Sequence, residues 1–180
     1  VVTIPTLAFG NTNTFGNITV NNILNGLGNS LGNIGNSTAY FNTVFAKSTS
    51  AQYADVAERF AADTIYDAGT VVELGGAKEI TKVTGELSDS VFGVISTKAA
   101  YLMNGNAGTD ETHPPVAMTG RVPVKVVGQV RKGDRLVSAG NGQARAAQAG
   151  EATAFNVIGR SLVDKLTSEE GTVEAIVTIK

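Results

Sequence analysis

Short runs in which apolar and polar residues alternate occur repeatedly from about residue 70 to the end of the chain. Each run is rich in β-branched residues and is bounded by glycine, aspartate or proline, which is typical of β-strands. The runs are Thr70–Leu74, Lys78–Val83, Val91–Ile95, Val122–Val127, Arg135–Val137, Val157–Leu162 and Thr172–Ile179. The first two flank Gly75-Gly76 and predict a hairpin. Many short strands joined by glycine turns predict an all-β fold, either a compact barrel or a sandwich.

One segment ahead of these strands has a different pattern. Residues Ala51–Phe60 predict a short helix with Ser50 as its N-cap. The densest aromatic cluster of the chain precedes it and consists of Tyr40, Phe41, Val44 and Phe45. We therefore expect a helical connection between this cluster and the β domain.

The first 46 residues contain no charged side chain, whereas all 14 basic and all 16 acidic residues lie from Lys47 onward. Gly-Asn pairs recur between spaced aliphatic residues in this segment, and both residue types suit tight turns. The pairs begin at Gly10, Gly16, Gly28, Gly32 and Gly35. One copy has too few large apolar groups to offset a backbone entropy of roughly 1–2 kcal/mol per residue. We predict an intertwined β stem of several chains over residues 1–49 and a globular β domain over 50–180, with a flexible linker as the alternative to the stem.

Composition and charge exclude several classes of function. The net charge is −2 and no dense Lys/Arg run occurs, so we expect no nucleic-acid binding. The absence of cysteine excludes disulfides, thiolate nucleophiles and cysteine-ligated zinc. The opening residues lack the features of a signal peptide, and no stretch is long and apolar enough to suggest membrane insertion. Because the chain does not begin with Met, we expect a fragment or a processed product.

Several motifs resemble proteins of tailed phages. Residues Ile34–Ala46 read IGNSTAYFNTVFA and Tyr53–Glu58 read YADVAE, which is similar to the stretch that precedes the C-terminal domains of phage tail fibres. The motifs that follow resemble, in order, the C-terminal domain of tail fibre and neck-appendage proteins, and they are Gly69–Val72, Val91–Ser96, Gly120–Val126, Lys132–Asp134 and Val157–Leu162. This group includes a self-cleaving intramolecular chaperone domain classed as peptidase G2. The resemblance implies a homotrimer with a β-structured C-terminal domain in a virion tail, together with other tail proteins.

The resemblance also implies a possible self-cleavage. In the self-cleaving members an Asp, and a Glu three residues later, lie at the start of the domain, and cleavage occurs just before the Asp. Asp55 and Glu58 have this spacing, although Ala54 stands where those members have Ser. Two carboxylates on one helical face could act as acid and base, or one could attack the neighbouring peptide bond. The alternative is that both are charges at the start of a helix.

A long irregular loop is predicted at Asn104–Pro115, which reads NGNAGTDETHPP. Irregular loops on β scaffolds often carry recognition, so this loop is a candidate contact for a host glycan or protein receptor. The candidate contact residues are Asn104, Asn106, Asp110, Glu111 and His113. His113 is the only histidine and a candidate metal ligand if its copies meet near a trimer axis, and an exposed loop without metal is the alternative.

Two further motifs predict turns, and two arginines stand out within strands. Lys132-Gly133-Asp134 predicts a turn that uses the conformational freedom of glycine. Gly140-Asn141-Gly142 predicts a hairpin turn and not a phosphate-binding loop. Arg121 and Arg160 lie inside apolar runs, so we expect them to be partly buried beside a carboxylate or carbonyl.

These observations leave three hypotheses about function. The chain is a trimeric tail-fibre or appendage tip that serves host attachment, an autoproteolytic chaperone that drives trimerisation, or a carbohydrate-binding module of a surface protein. A single histidine in a loop and the lack of Walker or dinucleotide motifs argue against a multi-turnover enzyme. We expect no cofactor.

Overall fold

The computed structural model describes residues 19, 21–24, 33–36, 38–46 and 50–178. The chain divides into two compact units, Val1–Phe45 and Ala46–Lys180. In the first unit the predicted turn at Gly35-Asn36 is confirmed, because Gly35 has φ 78° and Asn36 pairs with Ala39. The other Gly-Asn pairs lie wholly or partly outside the described residues, so the interwoven stem stays a prediction.

The described part of the second unit consists of β-strands, and it contains no helix of a length and hydropathy that would cross a membrane. The strands are β1 (Asp55–Arg59), β2 (Val71–Leu74), β3 (Ile80–Lys82), β4 (Val91–Ile95), β5 (Tyr101–Met103), β6 (Pro115–Val126), β7 (Arg135–Gly140), β8 (Gln143–Ala146), β9 (Val157–Ser161) and β10 (Gly171–Val177). The predicted all-β class is confirmed, and so is the β2–β3 hairpin, whose strands pair antiparallel.

Five strands close into a barrel in the order β6, β10, β9, β7 and β8. The closure depends on a parallel contact between β8 and β6, at Val126 and Ala144. Strand β6 is 12 residues long and belongs to two parts of the sheet. Its first half, up to Gly120, pairs with β1 and β4, and its second half, from Gly120 onward, pairs with β10. Gly120 is therefore the point at which the barrel and the additional strands meet.

The alternation of the sequence determines which side chains fill the barrel. In β6 and β10, Val122, Val124, Val173 and Ala175 are at most 1% exposed, and the residues between them face outward or are partly buried. Small β-branched side chains suit the interior of a narrow barrel, where successive residues point to opposite faces. A second cluster contains Ala62, Val72, Ile80, Ile95 and Val116. Phe60 and Phe92 pack against this cluster. Their two rings contact each other edge to face, with 4.9 Å between the ring centroids.

The helix predicted over Ala51–Phe60 is wrong. Residues Asp55–Arg59 form β1, which pairs antiparallel with β6 and parallel with β5. Helical propensity is a weak guide where a segment can take its backbone hydrogen bonds from two neighbouring strands. Strand β1 lies between two strands that are distant in the chain, and local sequence does not encode that position.

The predicted burial of Arg121 and Arg160 is also wrong. Both side chains are exposed, because strand alternation places them on the outer face of β6 and β9, opposite Ile176 of β10. Arg160 donates a hydrogen bond to the carbonyl of Gly133 at 3.3 Å. An arginine between apolar residues in a strand is thus the outward member of an alternating pair rather than a buried charge.

An ion pair with two hydrogen bonds connects the end of β8 to the following turn. Arg145 Nη1 and Nη2 donate to Glu151 Oε2 at 2.7 Å and Oε1 at 3.1 Å, and Glu151 also accepts the N–H of Gln148 at 2.7 Å. These hydrogen bonds, led by the one from Arg145, lower the pKa of Glu151 below its ordinary value of 4.5. Glu151 thereby holds the residues 147–151 against the barrel.

This ion pair predicts a pH dependence of stability. Since the pKa of Glu151 is lower in the folded chain than in the unfolded chain, the stabilisation is complete above about pH 4.5 and is lost as the pH falls through the folded value. We expect the free energy of unfolding of Glu151→Gln to decrease less than that of the wild type between pH 5 and pH 3. Urea titrations at successive pH values measure this difference. If the free energy of unfolding fell equally with pH in the two proteins, the Arg145–Glu151 ion pair would not be the source of the pH dependence.

Candidate functional site

Asp55 is a buried carboxylate at the start of β1. It is 3% exposed, and its Oδ2 accepts a hydrogen bond of 2.6 Å from the Ser96 hydroxyl. Glu58 lies on the other face of the strand, because the odd positions Asp55 and Ala57 are buried and the even positions are partly exposed. The common helical face on which we expected Asp55 and Glu58 is therefore not present. Self-cleavage stays a prediction, without the paired geometry that suggested it.

The peptide bond before Asp55 is held tightly. The carbonyl of Ala54 accepts the N–H of Arg121 at 3.1 Å, and the carbonyl of Asp55 accepts the N–H of Ala100 at 2.9 Å. Gly120 packs directly against this bond, since a Cβ added at Gly120 would lie 2.1 Å from the Ala54 oxygen. The entrance to the domain is thus fastened to β6 by backbone contacts.

The predicted recognition loop follows β5 and is anchored on Arg59. Arg59 Nη1 forms an ion pair of 2.8 Å with Asp110 Oδ1 and donates a hydrogen bond of 2.7 Å to the carbonyl of His113. The side-chain amide of Asn104 donates to the carbonyl of Arg59 at 3.2 Å. One nearly buried arginine therefore joins three of the predicted loop residues, a role that the sequence did not reveal.

The loop presents polar groups outward. Asn104, Asn106, Asp110 and Glu111 are exposed, and His113 is partly buried. His113 Nδ1 lies 3.1 Å from the hydroxyl of Thr112. Within the described ranges no three His, Cys, Asp or Glu side chains form a group that could hold a metal ion. The loop is hence an ordered, exposed surface held by Arg59.

The two predicted turns are confirmed. Gly133 has φ 90°, and Asp134 closes its turn by accepting the N–H of Arg131 at 2.8 Å. Gly140, Asn141 and Gly142 all have positive φ and connect β7 to β8. The second turn lies against β2 and β3, because Gly142 accepts the N–H of Val71 and donates to the carbonyl of Val83, both at 2.8 Å.

This β7–β8 turn forms one wall of a polar groove of about 380 Å³, a size at the lower end of the range of about 300–1,000 Å³ for small-ligand sites. The groove, called here the Tyr66 groove, is built from five separate parts of the chain. Its lining residues are Thr64, Ile65, Tyr66, Asp67, Thr70, Lys82, Lys125, Asn141, Gln143 and Glu170. No local motif unites these residues, and the sequence therefore did not indicate the groove.

Hydrogen bonds fix the floor of the Tyr66 groove. The Tyr66 hydroxyl donates to the carboxylate of Asp63 and accepts the N–H of Lys82 at 3.0 Å. The hydrogen bond from Tyr66 lowers the pKa of Asp63 below its ordinary value. Lys82 Nζ donates to Asn141 Oδ1 at 2.7 Å, and Lys125 Nζ lies 3.1 Å from the hydroxyl of Thr70. The aromatic ring and both lysines are thus held in place by hydrogen bonds within the protein.

Comparison with known proteins gives structural similarity only, since no protein family model and no curated protein matches the sequence. The pre-mature form of bacteriophage phi29 gene product 12 superposes with a TM-score of 0.53 at 16% identity, over 77% of this chain and 23% of that one. A C-terminal fragment of the same phage protein has a TM-score of 0.47 at 17% identity, over 70% of this chain and 100% of that one. The head fiber gp8.5 N base of phi29 has a TM-score of 0.41 at 14% identity, over 67% and 91%. The chain thus spans about a quarter of phi29 gene product 12, and it shares the fold of that part of the phage protein.

Proposed function

We propose that this protein is a structural component of a phage virion, a trimeric tail fibre or appendage that takes part in attachment to the host. The observation that carries the proposal is the fold shared with part of phi29 gene product 12. The motifs between Ile34 and Leu162, which resemble tail fibre and neck-appendage proteins, support the same role. The proposal places the chain in the virion, at the tail, and assigns it no multi-turnover catalysis.

The first unit supports an assembly of several copies. Its described residues include large apolar side chains that a single chain leaves open to water, and Leu24 and Phe45 are 87% and 96% exposed. The others of this kind are Ile23, Ile34, Tyr40, Phe41 and Val44. Each such side chain would gain about 1.5–3 kcal/mol on complete burial. Because the segment carries no charge, copies of it could approach one another without electrostatic repulsion.

The loop held by Arg59 is the proposed receptor contact. Its exposed amides and carboxylates belong to Asn104, Asn106, Asp110 and Glu111, and they offer hydrogen bonds to a host glycan or protein. The Arg59 ion pair with Asp110 limits the motion of the loop, so less conformational entropy is lost when a partner binds.

The experiment is the solution mass of the full chain by light scattering. We expect three times the chain mass of 18.5 kDa. Phe45→Ser removes one exposed apolar side chain from the proposed contact and is expected to shift the mass toward the monomer at low micromolar concentration. Asn42→Ser is the matched control and should leave the trimer intact. A folded wild-type monomer would rule out the trimeric fibre.

A further inference from the structure

We infer that the Tyr66 groove is a binding site for a neutral oligosaccharide. The inference deepens the proposed function, since attachment needs a surface that recognises a host molecule. It concerns a different part of the domain from the loop held by Arg59, because none of the residues that line the groove belongs to residues 104–114.

The free hydrogen-bonding groups of the groove suit sugar hydroxyls. Among the described residues, the side-chain amide of Gln143, the Nδ2 of Asn141 and the carboxylate of Glu170 have no hydrogen-bond partner, while the Oδ1 of Asn141 accepts a hydrogen bond from Lys82. Amides offer both donors and acceptors, and a carboxylate accepts hydrogen bonds at both of its oxygens. A sugar hydroxyl can donate a hydrogen bond to the carboxylate and accept one from an amide, so sugar hydroxyls match these groups.

The charge of the groove selects against ionic ligands. Two lining residues are cationic, Lys82 and Lys125, and two are anionic, Asp67 and Glu170. Lys125 Nζ lies 3.4 Å from Asp67 Oδ2, so part of this charge is already paired within the protein. A phosphate or a divalent cation would find no excess of opposite charge here to offset the free energy of its desolvation. An uncharged polar ligand has a smaller desolvation cost, which hydrogen bonds in the groove can offset.

The groove also has apolar surface and a rigid frame. Tyr66 contributes a fixed aromatic ring, and Ile65 beside it is 67% exposed. These surfaces can contact the C–H face of a sugar ring or the methyl group of an N-acetyl substituent. The turn that carries Asn141 is seated against Thr70, where a Cβ at Gly142 would lie 2.8 Å from Thr70 Cγ2. Because these side chains and the turn are already fixed in the free protein, ligand binding would cost little side-chain conformational entropy.

The test is binding of two neutral trisaccharides, tri-N-acetylchitotriose and cellotriose, to the full chain by saturation-transfer NMR and calorimetry. We expect binding of at least one of them. Gln143→Ala is expected to weaken it by about tenfold, through loss of a hydrogen bond in a partly enclosed site. Gln148→Ala removes an exposed amide outside the groove and should change the affinity by less than about twofold.

A second variant shows whether weaker binding arises from the groove itself rather than from misfolding of the protein. Asn141→Asp keeps a residue that tolerates the positive φ of 50° and keeps the acceptor for Lys82, but it loses the free donor. We expect it to retain the thermal midpoint of the wild type and to bind the trisaccharide more weakly. Trigalacturonate serves as an anionic trisaccharide and should bind less well than the neutral probes.

Three results would overturn the inference. These are no binding of either neutral probe to folded protein, unchanged affinity in both groove variants, or tighter binding of trigalacturonate. The solution mass measured on the same sample separates this inference from the proposed function. If the protein is a trimer that binds no neutral sugar, the glycan site is overturned and the fibre proposal is retained. If it is a monomer that binds a neutral sugar through the groove, the fibre proposal is overturned and the glycan site is retained.

Discussion

Replacing Gly120 by alanine is expected to lower the free energy of unfolding by at least about 3 kcal/mol. Gly120 has φ 108°, a conformation that L residues rarely adopt. An added Cβ would also lie 2.1 Å from the oxygen of Ala54 and 2.7 Å from the Cα of Asp55. Both are backbone atoms, so the collision is relieved only if β1 moves away from β6. Urea denaturation at one fixed chain concentration measures the loss.

Gly128→Ala is the matched control for this prediction. Gly128 also has a positive φ, 75°, but an added Cβ there meets no atom within 4 Å. The control therefore isolates the cost of the backbone conformation, about 1–2 kcal/mol. Hydrogen exchange of the Arg121 amide, which donates to Ala54, should quicken in Gly120→Ala only. Equal destabilisation of the two variants would show that the close approach of β1 and β6 contributes nothing.

Truncation of Leu136 to alanine is expected to cost about 2–5 kcal/mol. Leu136 lies on β7, is completely buried and packs within the barrel core. Its removal leaves a cavity between strands that are held by hydrogen bonds to both neighbours, β8 and β9. Such strands have little freedom to move inward, so we expect a value in the upper half of the range.

Leu166→Ala is the corresponding control, since this leucine is 61% exposed. Its truncation should change the free energy of unfolding by no more than about 0.5 kcal/mol. Thermal and urea unfolding of the three proteins, followed at the same concentration, give the comparison. If Leu136→Ala were as stable as Leu166→Ala, the barrel interior would not be the main core of the domain.

Local pattern indicated seven of the ten described strands, in whole or in part, and missed β1, β5 and β8. Runs rich in β-branched residues located β4 to the residue, and they located β9 and β10 within two residues of the ends in the structure. The glycines at 133, 140 and 142 indicated turns because few other residues tolerate positive φ. These features depend on neighbours in sequence, and the all-β class follows from them.

The tertiary structure decided what depends on distant partners. Residues Asp55–Arg59 form a strand only because β5 and β6 offer backbone partners on both sides. That pairing places Asp55 and Glu58 on opposite faces. Arg59 becomes the anchor of the loop through Asp110, 51 positions further along the chain. A period of two residues specifies the face of a strand but not its neighbour.

The Tyr66 groove combines a feature that local sequence indicated with features that only the tertiary structure decided. Its turn at Gly140-Asn141-Gly142 was evident in the sequence, because glycine and asparagine favour tight hairpins. The sequence did not show that this turn forms a wall of the groove, since Lys82, Lys125 and Glu170 reach it from three other parts of the domain. The sequence by itself determined where the chain extends and turns. Only the pairing of strands that lie far apart in the chain decided which polar side chains face one another.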